Sequence, residues 1–183
     1  MKKLFATLIL AATGVASAST LTLGYDKGEG LPGRADNQTV TAAVREPLTD
    51  KFTIDFAIRS QQVQNTARSQ NVRYEVGGTY SQPLGGGLRA YVRPAIGYKL
   101  APNANGGYWS TEAGVGYRVN NNLSASYGFR VLSGMAVAHP ITHTHRYAVT
   151  YAFDKVNSVT VRHDRFRYDA GSNNIGVYYN RNF

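Results

Sequence analysis

Asn173-Asn174-Ile175-Gly176-Val177-Tyr178-Tyr179-Asn180-Arg181-Asn182-Phe183 is the stretch on which the fold turns. Ile175, Val177 and Tyr179 fall on every second position, the period of a strand whose successive side chains leave opposite faces. An aromatic residue closes it. Working back towards the start, the same alternation predicts strands near 19–27, 37–45, 51–63, 69–81, 88–100, 108–119, 123–133, 142–153, 157–168 and 173–183. The fold class is all-β. Ten strands are read, with eight and twelve as the neighbouring even counts.

The connections between these segments alternate in length. Glu46 to Asp50, Gln82 to Gly87, Asn120 to Asn122 and Asp154 to Asn157 are short and rich in turn formers. Between them fall longer polar connections, Lys27 to Asp36, Gln64 to Arg68, Ala101 to Gly107 and Gly134 to Ile141. Transmembrane barrels have short periplasmic turns, longer external loops and an even strand count. A transmembrane antiparallel up-and-down β-barrel with both ends on the periplasmic side satisfies all three. A soluble sandwich shares the alternation but points its apolar face inward.

At the other end, Met1-Lys2-Lys3, the apolar run Leu4 to Ala12 and the small residues Ala16-Ser17-Ala18 have the form of a secretory signal peptide. Residues 1–18 are therefore expected to be removed, leaving 19–183 as a single barrel domain. Without Lys2 and Lys3, 18 bases face 11 acids, and 14 of those bases are arginine. Such a surplus suits an anionic partner. Export argues against nucleic acid and leaves lipopolysaccharide and acidic solutes. Cysteine is absent, which excludes disulfides and thiolate metal sites; no cofactor is expected.

Parity then assigns two faces. One carries Leu23 and Tyr25, Phe52, Ile54 and Phe56, Val149 and Tyr151, Val159 and Val161 and their equivalents, and is nearly free of charge in mid-strand. Lipid contact requires this, since Arg or Lys at mid-bilayer costs about 2–4 kcal/mol. The other face holds ten bases, Arg45, Arg59, Arg73, Arg89, Arg93, Lys99, Arg118, Arg130, Arg146 and Arg162, against Asp26, Asp55, Glu75, Glu112 and Asp164. Around a ten-stranded ring, Arg59 and Arg73 are expected to oppose Arg130, Arg146 and Arg162 as two basic tracks. Inward Gly77, Gly97, Gly114, Gly116 and Gly128, with Ala43, Ala57, Ala95 and Ala148, leave room for a narrow wet channel. A positive tube concentrates anions, and arginine suits carboxylates because its planar fork donates two parallel hydrogen bonds. Arg59, Arg73, Arg93, Arg130, Arg146 and Arg162 are the candidate binding residues for a small anionic solute.

The strand ending on Phe183 resembles the recognition signal of the outer-membrane assembly machinery, with Arg181 standing where that signal usually has an apolar residue. Leu21-Thr22-Leu23-Gly24-Tyr25, the run Ser110 to Leu123 and the spaced arginines resemble the oligogalacturonate-specific porin family. That resemblance implies a monomeric outer-membrane porin with two facing basic tracks, passing acidic oligosaccharides through a narrow barrel of twelve strands.

Two other functions stay open at this point. A structural or adhesive barrel would use the same arginines, paired with the five acids, to fill a plugged lumen. A barrel hydrolase acting on lipid A or peptides would draw on His139, His143, His145, His163, Asp164 and Asp169. Catalysis needs a base within hydrogen-bond reach of its partner, and no local pattern supplies a nucleophile with an orienting acid. A metal at His143 and His145 lacks a third ligand.

Overall fold

The computed structural model describes residues 19–29, 36–63, 70–101, 105–135, 141–167 and 173–183. Among them run ten antiparallel strands: β1 (Thr20–Glu29), β2 (Asn37–Pro47), β3 (Phe52–Val63), β4 (Gln70–Gly85), β5 (Leu88–Leu100), β6 (Gly106–Arg118), β7 (Leu123–Gly134), β8 (Thr142–Ala152), β9 (Asn157–Phe166) and β10 (Asn173–Asn182). Each pairs with its neighbour in sequence, and β1 pairs with β10, so the sheet closes on itself. The final alternating stretch is the closing strand: Tyr25 lies opposite Val177 and Leu23 opposite Tyr179. The ten predicted segments match the ten strands to within a few residues, except that β4 runs on to Gly85 through a register shift. The expected signal peptide, residues 1–18, lies outside the described residues.

Three of the four short turns share one device. The Thr49 hydroxyl accepts the Phe52 N–H at 3.0 Å, Asn120 Oδ1 accepts Leu123 N–H at 2.8 Å, and Asp154 Oδ1 accepts Asn157 N–H at 2.7 Å. A short polar side chain thus satisfies the backbone donor three residues on, the usual action of Asx and Ser/Thr turns. The fourth turn relies on Gly85, Gly86 and Gly87, all at positive φ, where a side chain would be strained.

Asn157, through its side-chain amide and its backbone N–H, and the Val156 N–H hold the Asp154 carboxyl below the usual carboxylate range. A depressed folded-state value stabilises the turn above the unfolded value of about 3.9 and is lost as pH falls through the folded value. Asp154→Ala should therefore destabilise the barrel at neutral pH, and urea midpoints of variant and parent should converge as pH is taken well below about 4.

The two faces are unequal in the direction a membrane requires. Ile96, Val161 and Val177 are 62%, 51% and 52% exposed, whereas Asp26, Asp55, Glu75, Glu112 and Asp164 are all under 7%. Apolar side chains point out and charges point in, the reverse of a sandwich. Val149, Val161 and Val177 stand side by side on β8, β9 and β10 in the middle of the outer wall. Aromatic residues flank that band: Tyr74 beside Tyr98 and Tyr127 beside Tyr147 on the long-connection side, Phe52 beside Tyr80 on the short-turn side.

Candidate anion site inside the barrel

The lumen residues come from strand parity, but which of them meet is set by closure. Two chains of ion pairs cross the interior. In the first, Arg93 on β5 binds Asp55 on β3, its Nε donating at 2.9 Å, and its guanidinium also reaches Glu75 on β4 at 2.9 Å. Glu75 in turn binds Arg130 on β7 and lies 3.8 Å from Arg59 on β3. In the second, Arg146 on β8 binds Glu112 on β6 and donates to both oxygens of Asp164 on β9, at 3.0 and 3.2 Å. Arg162 on β9 then links Asp164, at 3.3 Å, to Asp26 on β1, at 3.0 Å. Five bases and five acids make up this belt, so its formal charge cancels.

The remaining inward bases sit at the two ends. Arg73 and Lys99 face each other across β4 and β5 near the long connections. Arg45, Arg89 and Arg118 lie towards the short turns. None of the five has an ion-pair partner among the described residues. Counted over the described inward residues, the barrel is thus neutral at its waist and positive at both mouths.

Above the belt, on the side of the long connections, is a cavity of about 240 Å³ whose lining includes Arg59, Arg73, Arg130, Arg146 and Arg162, with Asp26 and Asp164. Five of the six candidate binding residues therefore meet around one space. Arg93 does not; it lies in the belt, enclosed against Asp55 and Glu75. Arg59 and Arg73 are direct cross-strand neighbours.

The inward glycines behave otherwise than the composition implies. A Cβ at Gly97 would strike the Tyr108 ring, one at Gly114 would lie 2.7 Å from the Tyr91 hydroxyl, one at Gly77 would meet the Arg93 guanidinium and one at Gly24 would collide with the Tyr178 ring. These glycines seat large side chains and do not widen a channel. The three tyrosines complete the belt: Tyr91 donates to Glu112 at 2.8 Å, Tyr108 to Glu75 at 3.1 Å, and Tyr178 to Asp26. Arg162 stacks over the Tyr178 ring, 4.2 Å from its centroid, a cation–π contact inside the barrel. Sequence reading passed over these tyrosines, although Tyr91 shares parity with Arg89 and Arg93, and Tyr108 with Ser110 and Glu112. Space remains below the belt, where a Cβ at Gly116 would meet nothing nearer than 3.9 Å.

Gly24→Val is expected to cost about 1–3 kcal/mol by overpacking, because the added methyls occupy the place of the Tyr178 ring. The loss in urea midpoint should be largely relieved in a Tyr178→Ala background; an undiminished loss would place the clash elsewhere.

The comparisons with known proteins bear on the architecture. The fold is similar to that of the NanC porin. That structure superposes with a TM-score of 0.50 over 91% of this chain and 100% of its own, at 11% sequence identity. The translocator domain of the autotransporter NalP from Neisseria meningitidis gives 0.51, over 100% of this chain and 94% of its own, at 7% identity. The KdgM porin gives 0.48 at 11% identity, over 90% of this chain and 99% of its own. No family model and no curated protein sequence matches the chain. The chain has the fold of bacterial outer-membrane β-barrels, and the outward apolar band agrees with that location.

The histidines lie elsewhere. His143, His145 and His163 are on the outer wall, where His143 stacks on Phe129, His163 on Tyr147, and His145 bonds the Tyr127 hydroxyl at 2.8 Å. His163 and Asp164 therefore point to opposite sides of the sheet and cannot act as one catalytic pair. His139 and Asp169 lie outside the described residues.

Proposed function

We propose that the chain is an outer-membrane porin for small anionic solutes, acidic oligosaccharides among them, which are captured in the arginine cavity at the outer mouth. The observation that carries this reading is the meeting of five guanidiniums from β3, β4, β7, β8 and β9 around one cavity with two carboxylates. Arg73, unpaired among the described residues, and Lys99 beside it supply positive charge at the entrance, and Arg45, Arg89 and Arg118 supply it at the exit. Passage is an exchange of partners: Arg130 and Arg146 loosen from Glu75 and Glu112 as a solute carboxylate takes their hydrogen bonds, then close behind it. Each guanidinium offers a bidentate fork to such a group, and several in series keep any one from trapping the solute.

A second reading, a structural barrel with a closed lumen, is favoured by the enclosure of Glu75 and Ser110 at the waist. Planar-bilayer recording on purified protein separates the two. The porin reading expects single-chain conductance with anion selectivity, and expects that selectivity to fall towards neutrality in an Arg59→Gln, Arg130→Gln, Arg146→Gln variant. A silent bilayer favours the closed barrel, and selectivity that survives the triple replacement removes these arginines from the function.

A further inference from the structure

On the outer wall, away from the lumen, β8 and β9 carry a positive row at the level where hydrocarbon gives way to headgroups. His145 lies opposite Arg165, and Tyr147 opposite His163. Arg167 is held beside His143 by its N–H, which donates to the His143 carbonyl at 2.9 Å. Arg165 and Arg167 are exposed, and neither has an ion-pair partner among the described residues. The nearest outward carboxylate along the sheet is Glu29, which is opposite Asn173 on β10, itself opposite Arg165.

Height decides what this row meets. His145 on β8 is eight residues above Phe153, the first residue past the end of that strand, which is about 20 Å of vertical rise for a chain advancing about 3.3 Å per residue at a tilt of about 40°. The apolar band of such barrels is about 25 Å tall. Measured from Phe153 at the lower rim, His145 and Arg165 therefore sit within about 5 Å of its upper edge, with His143 and Arg167 at the edge itself. Arginine in mid-band would be costly, but near the interface the penalty falls to about 0–1 kcal/mol, and there it can turn to a neighbouring anion. Phe129 stands level with His145 and stacks on His143, and Tyr127 and Tyr147 form an aromatic shelf below, stacked on His145 and His163.

The row is not arranged for a metal: among the described residues no three His, Cys, Asp or Glu side chains come together to hold one. A surface that faces sideways into the outer leaflet meets lipid first. We propose that Arg165 and Arg167, flanked by His143, His145 and His163, bind the phosphate of a phosphorylated glycolipid headgroup of the outer leaflet, with its acyl chains lying along the β8–β9 wall. Two arginines suit a phosphate because each can present paired N–H donors to its oxygens. This site is independent of the lumen reading.

The test is native mass spectrometry of the folded full-length barrel released from detergent in the presence of bisphosphorylated lipid A. Retained lipid A is expected, and removing its phosphates should abolish retention. Arg165→Gln with Arg167→Gln should weaken binding by about tenfold or more, the loss appropriate to two charge-assisted contacts. Lys51→Gln, in the β2–β3 turn at the other rim, should leave it unchanged. Heat-modifiable gel mobility confirms that each variant is folded, and the dephosphorylated lipid tests the parent protein should the double variant fail to fold. Equal retention of dephosphorylated lipid A overturns the proposal. So does equal retention of phosphatidylglycerol, which would make the row a general anionic-lipid surface, and so does undiminished binding by the double variant.

Discussion

Replacing Glu75 by glutamine is expected to destabilise the barrel by about 3–5 kcal/mol, the cost of breaking a buried pair by removing one partner. Glu75 is 2% exposed and faces Arg59, Arg93 and Arg130 from β3, β5 and β7. Glutamine keeps the shape and the Tyr108 contact but leaves three guanidiniums around an uncharged amide. Asp55 still answers Arg93, so the burden falls on Arg130, which is 4% exposed and keeps, among the described residues, the hydrogen bond to Ser110 Oγ at 2.9 Å. Adding Arg130→Met should recover part of the loss, because a buried ion pair replaced on both sides by neutral groups is often close to neutral. Urea midpoints of the refolded barrel, read by the folded-to-unfolded gel shift, measure both. A Glu75→Gln midpoint equal to that of the parent would mean that water enters the waist and solvates the guanidiniums, and the belt would then not hold the barrel together.

Val161→Arg is the second large effect, expected at about 2–4 kcal/mol against insertion into bilayers. Val161 is 51% exposed and lies between Val149 and Val177 in the middle of the outer wall. Thr160→Arg is the matched control: its hydroxyl meets Thr150 and Asn180 on the opposite face, where an added base joins an already basic lumen. Folding yields into lipid vesicles should fall for the first and much less for the second. Equal yields would contradict the assignment of the apolar face to lipid.

Strands, their number and their faces were legible in the sequence because they depend on local information. Period-two alternation is visible within ten residues, and turns such as Asp154 to Asn157 work through hydrogen bonds two or three residues long. The cavity arginines were legible as inward residues for the same reason. Pairing was not. Asp26 and Arg162 stand 136 positions apart and meet only because β1 closes on β10. Of the facing arginines expected from strand order, Arg59, Arg130, Arg146 and Arg162 became partners in a neutral belt while Arg73 stayed outside it, since Asp26, Asp55, Glu75 and Glu112 reach across two or three strands to guanidiniums that local sequence does not place beside them. The glycines misled for a related reason: absence of a side chain reads as space, but the neighbouring strand decides whether a tyrosine fills it.

By itself, then, the chain determined that apolar and charged side chains take opposite faces of one sheet, because the pleat of a strand leaves no other choice. Only the closed barrel decided which bases remain uncompensated among the described residues, Arg73 and Lys99 at one mouth and Arg45, Arg89 and Arg118 at the other. Charge neutralisation is settled by distance through the lumen, and that distance exists only once the first and last strands are hydrogen-bonded.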